Sequence, residues 1–428
     1  MICVMPNCCF LSETSRGLEI YRALVARGAP VCVATHGGTY AWVLRDAGVP
    51  FEVIGPGMDP PRCAEFVRSV PGIGRPDQGM WTDEELRSYV GWEAEYFRRH
   101  DVQVVVTGWL LTTLLSTQLA GVPLVTDHAG SYLPPLYERG LLPDFSMPVG
   151  LPLERWLPRP LKRWLVNKGA ERNRGYLGGL NRAAAHFGVR GVRSLPGLLL
   201  GDLTLVTEAP EVLGISPSEM DGWRPAPASG FRVGARMRYS GPLYARLPGA
   251  VPELVERFLA GPRPVVYVAI TSSDADLVRR AVRGVRDAGA RALVAATVHD
   301  LADLAGPDVL VEQVLPSHEI MPRVDLAVIA GGQGSVQTAV GSGVPFIGLP
   351  LQPEQDTNVV LVERRGAGRR LAQRDAGTVA MSTMVRAMLA DPSYRANARR
   401  LQDVYSCVDG AAGAADAIID LLALAARP

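Results

Sequence analysis

A run of glycines near residue 331 is the part of this chain whose residue types and spacing best indicate chemistry. Gly331, Gly332 and Gly334 follow an apolar stretch, Leu326 to Ile329, and precede Ser335 and a helical pattern. The free N–H groups and positive dipole end of a helix N-terminus attract anions, and glycines let a phosphate approach the backbone. The pattern therefore predicts a site for a phosphate-bearing ligand. From the glycines alone, a turn that only packs a strand against a helix stays open as the alternative.

Two carboxylates and a histidine in the first half of the chain are candidates for accepting a proton. Glu13 precedes a helical pattern, and Asp127 and His128 directly follow the apolar stretch 123–126. Burial in a partly apolar pocket raises the pKa of a glutamate from about 4.3 towards neutrality, and histidine titrates near about 6.5, so either side chain could act as a base. Structural roles also stay open: Ser12 or Glu13 as a helix N-cap, and His128 as a hydrogen-bonded strand end.

The elements that must position these residues alternate along the chain. Short β-branched runs, such as Ile2 to Met5, Val31 to Thr35 and Val102 to Thr107, are separated by helical patterns, and the alternation restarts at Val265. This order predicts parallel sheets with helices on both faces. At 428 residues the chain is too long for one core, because single cores stop growing at roughly 250–300 residues. We therefore expect two doubly wound α/β domains that bind ligands at the carboxyl ends of their strands.

Composition argues against several classes of protein. Lys and Arg total 44 and Asp and Glu 43, so the net charge of +1 does not favour nucleic acid as a partner. No apolar run reaches the roughly 20 residues that span a bilayer, and the N-terminus lacks a basic segment before its apolar start, which predicts a cytoplasmic protein. The six cysteines show neither metal-ligand spacing nor a disulfide framework, so no metal site is expected.

The stretch from Tyr132 to Gly201 departs from the alternation and is rich in proline and arginine. Its basic and aromatic residues lie close together: Arg155, Trp156, Arg159, Lys162, Arg163 and Trp164. An amphipathic element on a membrane surface is one interpretation of this segment. The interpretation favoured here is a helical flap whose apolar face covers a substrate pocket.

The segment from Gly331 to Gly368 resembles the donor-binding signature of nucleotide-sugar glycosyltransferases of the GT-B fold, in the branch that holds plant UDP-glycosyltransferases and bacterial natural-product enzymes. The matching residues are Gly331, Gly332, Gly334, Ser335, Gly343-Val344-Pro345, Pro350, Gln355, Asn358 and Gly366. Looser resemblances precede them. Tyr239 to Leu243 is similar to the link between the two domains of the family, and Val265 to Ser273 to the first strand and phosphate-facing loop of its second domain.

The resemblance implies two Rossmann-like doubly wound parallel-sheet domains that face an interdomain cleft. Residues 1–245 would form the acceptor-binding domain and 246–410 the nucleotide-sugar donor-binding domain, with a C-terminal helix in 411–428 packed back on the first. It further implies an inverting, metal-independent transfer of a sugar from a UDP- or TDP-sugar to a small natural-product acceptor, without a cofactor. A homodimer is left open, and neither nucleic acid nor a membrane is an expected partner.

Donor-binding roles follow from the same resemblance. Ser272 matches a serine that contacts phosphate, and Leu315 lies in the segment that holds the nucleobase. Glu354 and Gln355 stand where the family usually has Asp-Gln, whose side chains hold sugar hydroxyls. Together with the diphosphate cradle of Gly331, Gly332, Gly334 and Ser335, these residues form the predicted donor site.

The catalytic base departs from the family pattern. Aligned back from Arg27-Gly28, the position of the family's histidine falls at Glu13, and the region of its orienting aspartate holds Thr107 and Trp109 instead. A carboxylate base needs no second carboxylate to orient it, so this pair of changes is chemically coherent. Glu13 is one predicted base, and the Asp127-His128 pair is the other.

Two donor-binding positions also differ from the family pattern. Ala330 replaces a histidine that contacts the diphosphate, and Thr338 replaces a glutamate that holds the ribose hydroxyls. The lost hydrogen bond at residue 330 is worth roughly 1.5–3 kcal/mol when it is charge-assisted. These changes keep open two alternatives: a GT-B relative with other sugar-nucleotide chemistry, such as epimerisation or use of an unusual donor, and a non-catalytic helper protein of the same fold.

Overall fold

Two parallel β-sheets, each flanked by helices, organise the chain. The structure is a computed structural model that describes residues 1–69, 80–150, 154–244, 249–270, 273–297 and 299–425. The first of its two units contains Met1–Leu142, Pro158–Ala245 and Asp409–Pro428, and the second contains Pro143–Leu157 and Arg246–Val408. The short segment 143–157, expected in the first domain from sequence, is thus part of the second unit.

The strands of the first unit are β1 (Ile2–Val4), β2 (Val31–Thr35), β3 (Glu52–Val53), β4 (Val104–Thr107), β5 (Leu124–His128), β6 (Leu203–Val206) and β7 (Arg236–Tyr239). Those of the second are β8 (Val265–Ala269), β9 (Arg291–Ala295), β10 (Val309–Glu312), β11 (Leu326–Ile329), β12 (Phe346–Gly348) and β13 (Gly368–Arg370). The sheet orders are β3-β2-β1-β4-β5-β6-β7 and β10-β9-β8-β11-β12-β13.

The helices of the first unit are α1 (Leu11–Ala26), α2 (Trp42–Asp46), α3 (Pro60–Ser69), α4 (Asp83–Arg99), α5 (Thr113–Ala120), α6 (Pro134–Glu138), α7 (Arg159–Gly169), α8 (Leu177–Phe187), α9 (Pro210–Leu213), α10 (Pro217–Gly222) and, at the end of the chain, α18 (Gly410–Ala425). The second unit holds α11 (Glu253–Leu259), α12 (Ala275–Asp287), α13 (Ser317–Ile320), α14 (Gln333–Gly341), α15 (Pro353–Glu363), α16 (Val379–Ala390) and α17 (Pro392–Ser406). No helix in the described ranges is both long and apolar enough to cross a membrane.

Both sheets are doubly wound, which confirms the predicted α/β architecture. The chain leaves β1 towards β2 and β3 and then returns to β4 on the other side of β1, and the second unit repeats this path around β8. The observed pairings are parallel, for example Cys3 with Cys32 and Val328 with Ile347. Such a reversal opens a crevice at the carboxyl ends of the central strands, where ligands bind in folds of this kind.

Each unit has its own apolar core. In the first, Val105 and Leu124 of the sheet pack with Phe66 and Phe97 from the helices. In the second, Val266 and Val328 pack with Val282 and other side chains of α12. Burial of such side chains contributes roughly 1.5–3 kcal/mol each, so each sheet is held by the helices of its own unit.

The C-terminal helix α18 packs against α1 within the first unit. Arg27 Nε donates to Asp416 Oδ1 at 2.5 Å, and Arg27 Nη2 donates to Ala412 O at 3.0 Å. The helix also lies close to the chain that follows β7, because a Cβ added at Gly413 would lie 2.3 Å from Ser240 O. Small residues at this point let the last helix approach the backbone of the first unit.

Candidate functional site

The glycine turn of the second unit joins the end of β11 to the start of α14. Gly331 has φ of 95°, and a Cβ there would lie 2.5 Å from Val359 Cγ2, so only glycine fits. At Gly332 and Gly334, by contrast, an added Cβ would meet no heavy atom within 4 Å. The turn therefore packs closely against α15 at Gly331, and it leaves open space at Gly332 and Gly334, where α14 begins.

Free backbone donors lie at the start of α14. Gly332 is the N-cap, and the first amide bonded back within the helix is that of Val336, to Gly332 O at 3.1 Å. The helix thus begins at Gln333, two residues before the predicted Ser335, whose Oγ donates to Gly332 O at 2.9 Å. The N–H groups of Gly334 and Ser335 and the positive dipole end of α14 suit an anion.

Glu354 and Gln355 lie in the first turn of α15, and both are held by hydrogen bonds. Gln355 Oε1 accepts from Leu351 N at 2.8 Å, and Glu354 Oε1 accepts from Asn358 Nδ2 at 2.5 Å. Asn358 Nδ2 also donates to Gly331 O at 3.1 Å. The structure therefore joins the predicted sugar-binding pair to the glycine turn through Asn358.

A buried ion-pair network beside this turn was not predicted from the sequence. Asp356 is fully buried, and its Oδ1 accepts from Arg370 Nη1 at 2.9 Å. The other guanidinium nitrogen, Nη2, donates to Asp144 Oδ1 at 2.9 Å, and Ser146 N donates to Asp356 Oδ2 at 2.5 Å. Residues Asp144 and Ser146 are thereby linked to the first turn of α15. No spacing in the sequence indicates these partners, because residues 144 and 370 are 226 positions apart.

Of the two remaining predicted donor residues, the structure describes only one. Leu315 is 9% exposed and precedes α13, while Ser272 lies outside the described residues. Next to Ser272, Ser273 O is held by His299 Nε2 at 2.7 Å. Thr338 is 7% exposed, and its Oγ1 donates to Gly334 O at 2.7 Å, so this hydroxyl bonds its own helix.

In the first unit, Arg16 brings two of the three predicted base candidates together. Its Nε donates to Asp127 Oδ1 at 2.5 Å, and its Nη2 donates to Glu13 Oε1. The second carboxylate oxygen of Glu13 accepts from Trp109 N at 2.8 Å. The side chains of Arg16 and Glu13 are 6% and 10% exposed. The carboxylates at the ends of α1 and β5 are therefore parts of one buried cluster.

This cluster corrects the N-cap interpretation of Ser12 and Glu13. Helix α1 begins at Leu11 with Phe10 as N-cap, so both residues lie in its first turn. Arg16 was missed, although its position three residues after Glu13 places the two side chains on one helix face. Gly108 makes room for the contact, since a Cβ there would lie 1.9 Å from Glu13 Oε2.

The protonation of Glu13 reflects its surroundings. Burial raises its pKa above the usual 4.5, the Arg16 guanidinium lowers it, and the Asp127 carboxylate raises it again, with a net upward shift. Two carboxylates share one guanidinium here, so the cluster carries more negative than positive charge when both are ionised. A proton taken up by Glu13 would relieve that excess.

His128 follows Asp127 but has a different hydrogen-bonding role. Its Nδ1 accepts from Gly130 N at 3.0 Å, so the neutral ring carries its hydrogen on Nε2. Burial, assisted by the Arg16 charge, lowers the pKa of His128 to about 3. At neutral pH the free nitrogen of this imidazole is thus a hydrogen-bond donor. This tautomer could not be predicted from the sequence, because it depends on a hydrogen bond from one backbone amide.

No group of three or more His, Cys, Asp or Glu side chains in the described part of the chain could hold a metal ion.

Comparison with known proteins finds that this chain is similar to biosynthetic enzymes, among them glycosyltransferases. Residues 279–411, which include the glycine turn and α15, match the family described as "Erythromycin biosynthesis protein CIII-like, C-terminal domain". The 4'-demethylrebeccamycin synthase of Lentzea aerocolonigenes is 34% identical over 168 residues, which cover 37% of this chain and 39% of that protein. A PGL/p-HBAD biosynthesis glycosyltransferase of Mycobacterium tuberculosis is 24% identical over 334 residues, 76% of this chain and 72% of its own.

A solved structure extends the likeness over the whole fold. The glycosyltransferase VinC, determined in complex with DTDP, has a TM-score of 0.65 with 16% sequence identity, and the match covers 99% of this chain and 100% of that one. At that identity the likeness shows the fold. The family match at residues 279–411 lies almost entirely in the second unit, where the resemblance found in the sequence is also strongest.

Proposed function

We propose that this chain, a GT-B-fold relative of the natural-product glycosyltransferases whose second unit matches the EryCIII-like C-terminal domain, is an inverting glycosyltransferase. It would move a sugar from a UDP- or TDP-sugar to a small-molecule acceptor. One observation supports the proposal more than the others. Asn358 bonds both the glycine turn before α14 and Glu354, so the two segments expected to hold the diphosphate and the sugar are joined.

The leaving diphosphate would be stabilised by α14. As the bond to the sugar breaks, negative charge grows on the phosphate oxygens, and preorganised donors aimed at that charge lower the barrier. In our proposal the amides of Gly334 and Ser335 and the helix dipole supply this stabilisation without a metal or a cofactor. The open space at Gly332 and Gly334 supports a ligand that approaches the backbone there.

Glu13 is the base that we propose for the acceptor. A base must accept a proton from the attacking group, and Glu13 has its pKa raised by burial, which makes it a better acceptor at neutral pH. His128 is disfavoured as the base, because its Nδ1 is bonded to Gly130 N and its Nε2 carries the hydrogen. Arg16 would then act as a positioning residue that holds the Glu13 carboxylate towards the end of β4.

Asp127 has a supporting role in this proposal. Its carboxylate takes the Nε side of the Arg16 guanidinium, which fixes the plane of that group and leaves Nη2 for Glu13. The acceptor would complete the polar environment near Trp109, whose Nε1 is buried and has no hydrogen-bond partner among the described residues. A buried donor without a partner costs roughly 1–3 kcal/mol, which a hydroxyl of a bound acceptor would recover.

Donor binding and chemistry can be tested separately. Titration calorimetry with TDP and UDP measures nucleotide binding, and product analysis with a panel of nucleotide sugars measures transfer to an acceptor or hydrolysis. Glu13→Gln should keep nucleotide affinity and reduce kcat by roughly 10²–10⁴-fold, the usual contribution of a general base. Binding of neither nucleotide, together with no turnover of any nucleotide sugar, would contradict the proposed function.

A further inference from the structure

A basic groove on the first unit takes no part in the proposed reaction. It has a volume of about 680 Å³, and its charged lining consists of Lys168, Arg172, Arg174 and Arg193 with Glu171 as the acidic member. Lys168 comes from the last turn of α7, and the other cations come from the chain that follows α7 and from the loop after α8. The groove thus gathers cations from separate segments onto one surface.

These four cations are not paired with carboxylates. Among the residues that the structure describes, none of them forms a side-chain ion pair or hydrogen bond, although Glu171 follows Lys168 by three positions. Other exposed arginines of the same unit do pair, as Arg182 with Asp83 and Arg238 with Asp420, each at 2.7 Å. The groove therefore keeps a local excess of positive charge.

An exposed apolar helix face leads into this groove. On α7, Leu161 is 43% exposed and Trp164 is 55% exposed, and their spacing of three places them on one side of the helix. Lys168 follows Trp164 by four positions on that same side and lines the groove. Val166, on the opposite side of α7, is buried. The apolar side chains Leu161 and Trp164 thus face solvent, contrary to the predicted flap.

We propose that α7 and the basic groove form a docking surface for a membrane that contains anionic phospholipids. A helix with apolar and aromatic residues on one face and neighbouring cations lies in the plane of a lipid interface, with its apolar side chains among the head groups. Tryptophan favours this interface because its ring is apolar and its N–H is polar. The four cations would contact phosphate groups beside the inserted Trp164.

Charge and exposure favour lipid over other anions. A single small phosphate in an open groove would interact with exposed cations through water, where each attraction is weak and screened by salt. A lipid surface presents many phosphates at once and also accommodates Leu161 and Trp164, which a small anion leaves in water. An acidic protein would contact the cations but would not require Trp164. Loss of binding on substitution of Trp164 therefore distinguishes a lipid surface from an acidic protein.

Co-sedimentation of the full chain with vesicles tests the proposal. The vesicles are pure phosphatidylcholine and equal parts of phosphatidylcholine and phosphatidylglycerol, at low and high salt. We expect binding to the anionic vesicles only, weakened by salt. Each cation near such a surface contributes a factor of roughly five in partitioning, so Arg172→Ala with Arg174→Ala should reduce it about 25-fold. Trp164→Ser should reduce it as well.

Control variants remove two positive charges or one exposed apolar side chain elsewhere on the first unit. Arg22→Ala with Arg99→Ala removes the same charge from α1 and α4, and Val233→Ser removes an apolar side chain that is 83% exposed. Both should bind vesicles as the unaltered protein does, and thermal melting checks that every variant is folded. Equal loss in the control variants, or no binding to anionic vesicles, would overturn the proposal. Binding to polyglutamate that is unaffected by Trp164→Ser, without vesicle binding, would indicate an acidic protein instead.

Discussion

Arg16 is the residue on which the chemistry proposed for the first unit depends. It is 6% exposed and lies between two carboxylates, so its charge compensates groups that burial would otherwise make costly. Breaking a buried pair by removing one partner leaves an uncompensated charge and typically costs about 3–5 kcal/mol. The same guanidinium lowers the pKa of His128 and opposes the upward shift at Glu13.

Arg16→Met should therefore destabilise the protein in a pH-dependent way. The raised pKa of folded Glu13 means that the fold binds more protons than the unfolded chain above pH 4.5, so this group's contribution falls as pH rises from 4.5 through the folded pKa. Removal of Arg16 enlarges that shift. Urea unfolding should show a loss of about 3–5 kcal/mol near neutrality and a smaller loss at acid pH. A loss that does not change with pH would show that the carboxylates are not held by this cation.

The pH dependence of the reaction distinguishes the two base candidates. A base must be deprotonated, so kcat/KM rises with pH through its pKa. With Glu13 as the base, the acid limb lies above 4.5, because its pKa is raised. With His128 it would lie at about 3. We expect the higher limb in the unaltered enzyme, its disappearance in Glu13→Gln and its persistence in His128→Gln, measured by initial rates across the acid range.

At the scale of elements, the position of the glycine turn before α14 is set by α15, which packs closely against the backbone of Gly331. Val359 and Gln355 of α15 occupy the space next to its Cα, with contacts to an added Cβ of 2.5 and 2.9 Å. The other two glycines leave their space open. Glycine is therefore required by the fold at Gly331, whereas at Gly332 and Gly334 it would be required only by a ligand.

Gly334→Ala should weaken nucleotide binding without loss of stability. Alanine in a helix is favoured over glycine by up to about 1 kcal/mol, so the free energy of unfolding should stay equal or rise. If a diphosphate approaches the backbone there, the added methyl group disrupts a charge-assisted hydrogen bond, and TDP affinity should fall by roughly 10–100-fold in calorimetry. An unchanged affinity would place the diphosphate elsewhere.

The matched change at Gly331 should have the opposite outcome. Gly331→Ala strains a residue with φ of 95° and creates two close contacts, at a cost of roughly 1–3 kcal/mol for the strain alone. Gly289→Ala is the control for strain without a clash, since its φ is 80° and no atom lies within 4 Å of the added Cβ. Gly331→Ala should destabilise more than Gly289→Ala.

Much of the element order could be predicted because buried parallel strands have a strong signal. The apolar runs at 31–35 and 326–329 coincide with β2 and β11. Strands β3, β6, β7 and β13 were not predicted. Edge strands such as β7 and β13 bury fewer side chains, and the alternating sequence of β7, Arg236–Tyr239, carries exposed arginines that hide its strand character.

The site could be predicted only where its groups are close in sequence. Glycines 331, 332 and 334 and the pair Glu354-Gln355 form local patterns, and the structure brings them together. Arg16 with Asp127 and Arg370 with Asp144 are contacts over 111 and 226 positions, which depend on how the sheets are assembled. Ionic partners of this kind follow from tertiary structure, so spacing alone could not reveal them.

At the scale of the whole molecule, the two separate cores predict two unfolding events. Chains with more than one core commonly depart from two-state unfolding, and here α18 adds the end of the chain to the first unit. Differential scanning calorimetry should resolve two transitions. If TDP binds to the second unit as we propose, it should stabilise only one of the two cores, raising that core's free energy of unfolding by about 2.7 kcal/mol at 100 times the Kd of TDP.

Gly413→Val should identify the other transition. A valine side chain there cannot avoid Ser240 O, which would lie 2.3 Å from the Cβ, so α18 must shift from its place against the first unit. Overpacking of this kind typically costs about 1–3 kcal/mol. Asp416→Ala, which removes only the partly exposed pair with Arg27, should cost less than about 1 kcal/mol. We expect Gly413→Val to lower the temperature of the transition that TDP leaves unchanged. If it lowers the nucleotide-sensitive transition instead, α18 stabilises the second core, and the assignment of the C-terminal helix to the first unit is wrong.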